Sequence, residues 1–106
     1  MFECLEVAHE AVLLIGPIMR SIAPEDRNLS EQLTRATVSI VSNIDEGAAH
    51  VGRVRTHHYR LAFGSAREAR SQLRVAVAWG YVESTVANAP LALLDRVCAM
   101  LWRLIR

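Results

Sequence analysis

The sequence predicts an all-α protein, an antiparallel up-down-up-down four-helix bundle. Apolar residues recur at spacings of three and four along four stretches, turn-forming residues separate those stretches, and no segment alternates as a strand does. A length of 106 residues fits one domain over 1–106, large enough for a modest core without metal or disulfide support.

The first helix is expected from about Phe2 to Ile22, with Leu5, Ala8, Val12, Ile15 and Met19 along one face. Gly16-Pro17 interrupts the pattern. Proline lacks a backbone donor and crowds the preceding turn, so a kink near Gly16-Pro17, or a break near Ala11–Leu13, is expected. Ala23-Pro24-Glu25-Asp26-Arg27 forms the connector. Asn28 is the expected cap of the second helix, with Glu31 completing a capping box.

Leu33, Ala36, Thr37, Ile40, Val41, Ile44 and Ala48 give the second helix its apolar stripe. Thr56 is the expected cap of the third helix, which runs to about Trp79. Its inner face reads Tyr59, Ala62, Phe63, Ala66, Ala69, Leu73, Ala76 and Val77, and Gly64 and Ser65 add small residues that invite close approach of a neighbour. Gly80 suits the left-handed residue that ends this helix. Asn88 and Pro90 mark a last start, and Leu94, Val97, Cys98, Leu101, Leu104 and Ile105 continue the fourth helix.

The net charge of +1 conceals an asymmetry. Residues 1–46 carry −5, residues 47–74 carry +5, and every cation in the chain is arginine rather than lysine. Arg53, Arg55, Arg60, Arg67, Arg70 and Arg74 therefore suit either ion pairing with the acidic half or contact with RNA or DNA. Ion pairing, within or between chains, is the favoured use: Tyr59 and Phe63 fall on the core face, which leaves the basic segment without a stacking platform. On the second helix, Ser42, Asn43 and Glu46 share a stripe with Arg35. Facing Glu68 and the arginines of the third helix, they are expected to form a structural polar network that sets helix register.

No constellation of catalytic type is present. Glu6-Val7-Ala8-His9 is a lone Glu-x-x-His motif, and a di-metal bundle needs two. His50, His57 and His58 with Glu46 could be drawn as a metal or acid–base cluster, but they lie in a polar, loop-containing segment where a solvated face is the expectation. The serines sit inside helices, and Gly47 and Gly52 are isolated rather than part of a phosphate loop. No catalytic residue, metal ligand, cofactor or small-molecule substrate is inferred, and the expected class is not an enzyme.

Cys4 and Cys98 are expected to be free thiols in a reducing cytoplasm; a bridge would require the first and last helices to lie side by side. The apolar run Ala11–Ile15 is too short for a signal peptide core or a membrane span. An apolar content of 52%, against about 45–50% in ordinary globular chains, points to surface covered by further copies of the chain.

Arg35-Ala36, Ser39-Ile40, Ser42-Asn43-Ile44, Glu46-Gly47, Gly64-Ser65, Glu68, Gln72-Leu73 and Gly80-Tyr81 occur in an order and spacing that resembles the four-helix bundle proteins encoded in 23S rRNA intervening sequences. The accessory variability determinant of diversity-generating retroelements belongs to the same fold family. The resemblance implies an antiparallel four-helix bundle assembled into a ring, typically a homopentamer. In the retroelement proteins that ring presents a basic surface to nucleic acid and binds a reverse transcriptase. The functional expectation is thus a homo-oligomeric scaffold, with an arginine-lined nucleic-acid-binding accessory protein as the alternative.

Overall fold

A computed structural model describes residues 2–106. Four helices follow one another: α1 Glu3–Ile22, α2 Arg27–Ala48, α3 Gly52–Ala78 and α4 Ser84–Ile105. Each packs on its neighbour in the order α1–α2–α3–α4, and α4 closes back on α1. The connectors are short, so successive helices run antiparallel, and α1 and α3 stand at diagonal corners, pointing the same way. The long axis of 42 Å matches a 27-residue α3 at about 1.5 Å per residue.

The core is a single cluster of buried apolar side chains drawn from all four helices. Ile15, Ile22, Leu33, Ile44, Leu73, Leu94 and Leu101 are its largest fully buried members. Each such side chain contributes roughly 1.5–3 kcal/mol relative to exposure. Opposite them α3 presents Ala62, Ala66, Ala69 and Ala76, all fully buried, so its backbone lies close to its neighbours. Close approach comes from these alanines and not from Gly64, which faces open space on the outer side.

Helix α1 continues unbroken through Gly16-Pro17. Pro17 leaves the Leu13 carbonyl without its usual donor on a stretch where Leu13 is 75% exposed, so water can replace it and no break is needed. The buried stripe of α1 is Cys4, Ala8, Ala11, Ile15, Ile18 and Ile22, with Val7 beside it. It keeps Ala8 and Ile15 of the expected face but is turned so that Leu5, Val12 and Met19 are only partly buried.

Three helix starts also differ from expectation. The cap of α2 is Asp26, whose carboxylate accepts the Leu29 N–H at 2.9 Å, which leaves Asn28 inside the first turn. Helix α3 begins at Gly52, with Thr56 one turn inside donating to the Gly52 carbonyl. Helix α4 begins at Ser84, so Pro90 lies buried within it rather than at its start. Gly80 does adopt a left-handed φ of 80°, and its N–H and that of Tyr81 donate to Val77 and Ala76. That double bond is the Schellman ending of α3.

Candidate functional site

The polar seam between α2 and α3 is built from Ser39, Asn43, His58 and Ser65. The Asn43 amide donates to the Ser39 carbonyl and hydroxyl, both at 3.0 Å, and its Oδ1 lies 3.0 Å from His58 Nδ1. Ser39 and Ser65 hydroxyls meet across the two helices at 2.8 Å. Below the seam Gly47 is buried against the Tyr59 ring, and Arg55 donates to the Gly47 and Ala48 carbonyls at the end of α2. An arginine at a helix C-terminus satisfies orphan acceptors and complements the dipole.

Of the residues expected to form the polar network, Asn43 alone bridges the two helices. Ser42 is exposed and bonds back to the Val38 and Ser39 carbonyls of its own helix. Glu46 is exposed and lies 3.7 Å from His50, one turn on. Glu68 accepts from Gln72 on its own helix, and Arg35 is exposed on α2. Asn43 and Glu46 therefore meet none of Arg67, Arg70 and Arg74. The contacts across the two helices run instead from Ser39 to Ser65 and from Asn43 to His58; for Ser65 and His58 the signal in the sequence was their position on the face of α3 turned to α2.

The arginines fall into two sets. Arg55 is the helix cap already described, and Arg70 reaches across to Asp95 of α4 at 2.8 Å. That partner holds the Arg70 guanidinium above its ordinary pKa. Arg53, Arg60, Arg67 and Arg74 stand seven residues apart on the outer face of α3, all exposed. Seven residues are nearly two helical turns, so these four form a ladder about 30 Å long. Among the described residues the ion pairs are Glu46–His50 and Arg70–Asp95, so no ladder arginine is consumed by the acidic half of its own chain.

Trp102 of α4, half-exposed, packs on Phe63 with ring centroids 5.8 Å apart, and Arg67 lies over the Phe63 ring at 5.9 Å. This aromatic patch beside the ladder joins α3 and α4, so neither segment showed it alone.

Three of the four histidines, His50, His57 and His58, gather at the α2–α3 connection. His50 stacks on His58 at 6.0 Å and His57 lies edge-on to His58 at 5.5 Å. Among the described residues no group of three or more His, Cys, Asp and Glu is placed to hold a metal ion. Cys4 and Cys98 are free and buried on the neighbouring helices α1 and α4. Burial, with the Cys98 and Glu3 charges behind it, pushes the Cys4 thiol up to about 11. Burial likewise raises Cys98. Both are held as neutral thiols at physiological pH. Among the described residues no helix is long and apolar enough to cross a membrane.

The sequence profile described as 23S rRNA-intervening sequence protein matches residues 2–103. A crystal structure of a protein of unknown function from the S23 ribosomal protein family of Bacteroides thetaiotaomicron has a similar fold, with a TM-score of 0.88 over 97% of this chain and 98% of that one. Sequence identity with it is 18%, so the likeness is one of fold. No curated protein matches the sequence.

Proposed function

This chain belongs to the 23S rRNA-intervening sequence protein family, and we propose that it acts there as a non-enzymatic, homo-oligomeric scaffold in the cytoplasm. The observation that carries the reading is apolar surface left over once the core is complete. Leu13, Val38, Val51 and Trp79 are all more than 60% exposed, and Leu14, Val54, Leu61, Val86, Trp102 and Leu104 more than 40%. Scattered exposed apolar residues are ordinary, but so many on a 106-residue chain suit covering by further copies. Resemblance to ring-forming relatives makes five copies the expected number. Sedimentation equilibrium at micromolar concentration should return a multiple of 11.8 kDa, and a strict monomer would refute the reading.

A second reading, nucleic-acid contact, draws on the Trp102–Phe63–Arg67 patch beside the arginine ladder. Exposed Trp beside Arg supplies a base-stacking surface and phosphate contacts together. RNA or DNA would then bind with an affinity that falls as salt rises, and no binding at low salt would eliminate this reading.

A further inference from the structure

The Phe2 and Tyr59 rings meet at 6.2 Å, which sets the start of α1 level with the early part of α3. Both helices point the same way and advance about 1.5 Å per residue. Counting from that pair, Glu3 stands level with Arg60, Glu10 with Arg67 and Pro17 with Arg74. Between these rungs Glu6 is level with Gly64 and Leu13 with Ser71, each to within about one residue, or roughly 1.5 Å. All ten residues are exposed on their helices. A chain cannot make these pairs within itself, because α1 and α3 are diagonal and their outer faces look away from each other.

We propose that the outer face of α1 in one copy docks on the arginine ladder of α3 in the next, a head-to-tail contact between identical chains. It rests on the homo-oligomeric reading and assigns that reading its surface. Three features select a second copy as the occupant. The charges are opposite at two rungs, Glu3 with Arg60 and Glu10 with Arg67, and both sides share one spacing of seven residues. Leu13, 75% exposed and the most exposed large apolar residue of α1, stands level with Ser71, a small exposed residue of the ladder face. The levels match without a shift along the helix axis, so copies joined this way stay level with one another instead of climbing along a screw.

The test uses two exposed-face variants of the full chain, Glu3→Arg with Glu10→Arg, and Arg60→Glu with Arg67→Glu. Helical circular dichroism first establishes that each folds. Each variant alone should sediment as one chain, because its like charges now face each other. Mixed in equal amounts they should assemble again and sediment well above one chain of 11.8 kDa. The intact α3 of the first meets the intact α1 of the second, and the two reversed faces, arginine on α1 and glutamate on α3, again carry opposite charge. Wild-type assembly should also weaken at ~1 M salt, where screening falls to about 3 Å. A wild-type oligomer that survives both reversals overturns this interface and leaves the scaffold reading standing. A wild-type monomer overturns both. Loss of RNA binding by the Arg60/Arg67 variant with its oligomer intact assigns the ladder to nucleic acid and overturns the proposal.

Discussion

The Tyr59 ring fills the space that a side chain on Gly47 would need: a methyl group there would stand 2.5 Å from Cε1 and 2.6 Å from Cδ1. The Arg55 carbonyl would lie 3.2 Å away on the other side. Close contact of α2 with α3 at this point therefore depends on the missing Cβ.

Gly47→Ala should destabilise the fold by about 1–3 kcal/mol, the usual cost of overpacking. That outweighs the ~1 kcal/mol that alanine normally gains over glycine inside a helix. Tyr59 is only 4% exposed and cannot swing aside into water. Gly64→Ala, where the new methyl meets nothing, should instead gain about 0.5–1 kcal/mol. Thermal melts of the two variants should move in opposite directions from wild type.

The four helices were legible because their apolar period is strong, and the phase of α1 was not. That helix is apolar on several sides, so two stripes of three-four spacing, one through Leu5–Val12–Met19 and one through Cys4–Ala11–Ile18, compete one residue apart. Ala8 and Ile15 serve both, and packing chose Cys4 and Ala11 beside them, whose small side chains admit close neighbours, so that choice is tertiary. Helix starts were ambiguous where two capping residues sit close together, as Asp26 and Asn28 do. At α4 the buried Pro90 was read as a start although a full turn and more precedes it. Asn43 was visible as a misfit on a helix, but its partners Ser65 and His58 depend on the pairing of α2 with α3. The ladder was present as spacing; its freedom from the acidic half required the diagonal placement of α1.

Asn43→Ala removes the amide that ties Ser39 to His58 and should cost about 1–2 kcal/mol. Asn43→Asp should cost at least as much. It sets a carboxylate oxygen against the Ser39 carbonyl in place of the donor now 3.0 Å away. Urea midpoints should fall for both variants with an unchanged slope, which would locate the loss in the folded state.

Arg70 and Asp95 join α3 to α4 at 2.8 Å, with side chains 24% and 54% exposed. Solvent screening limits such a pair, so a double-mutant cycle with Arg70→Met and Asp95→Asn should give a coupling of about 0.2–1 kcal/mol that shrinks with salt. The Arg70 Nε is buried with no hydrogen-bond partner. Arg70→Met removes that unpaired donor, so its single-variant cost should be small, below about 1 kcal/mol by denaturant titration.

Cys4 makes stability fall in alkali. Its thiol, ordinarily near 9.0, ionises at about 11 in the folded chain, because burial opposes the thiolate and Cys98 and Glu3 add to the effect. The unfolded chain therefore loses this proton first. Between about 9 and 11 the folded state holds more protons than the unfolded one, so unfolding becomes easier as pH rises, and below 9 the group exerts no pH effect. The two-unit displacement corresponds to at most about 2–3 kcal/mol by full ionisation. Cys98 shifts the same way and adds to the slope. Denaturant midpoints measured from pH 8 to pH 11 should decline for wild type, and Cys4→Ala should flatten that decline while lowering stability at pH 8 through lost packing. In the native protein iodoacetamide should label both thiols far more slowly than in denaturant, since the reactive thiolate is scarce and the sulfurs are enclosed.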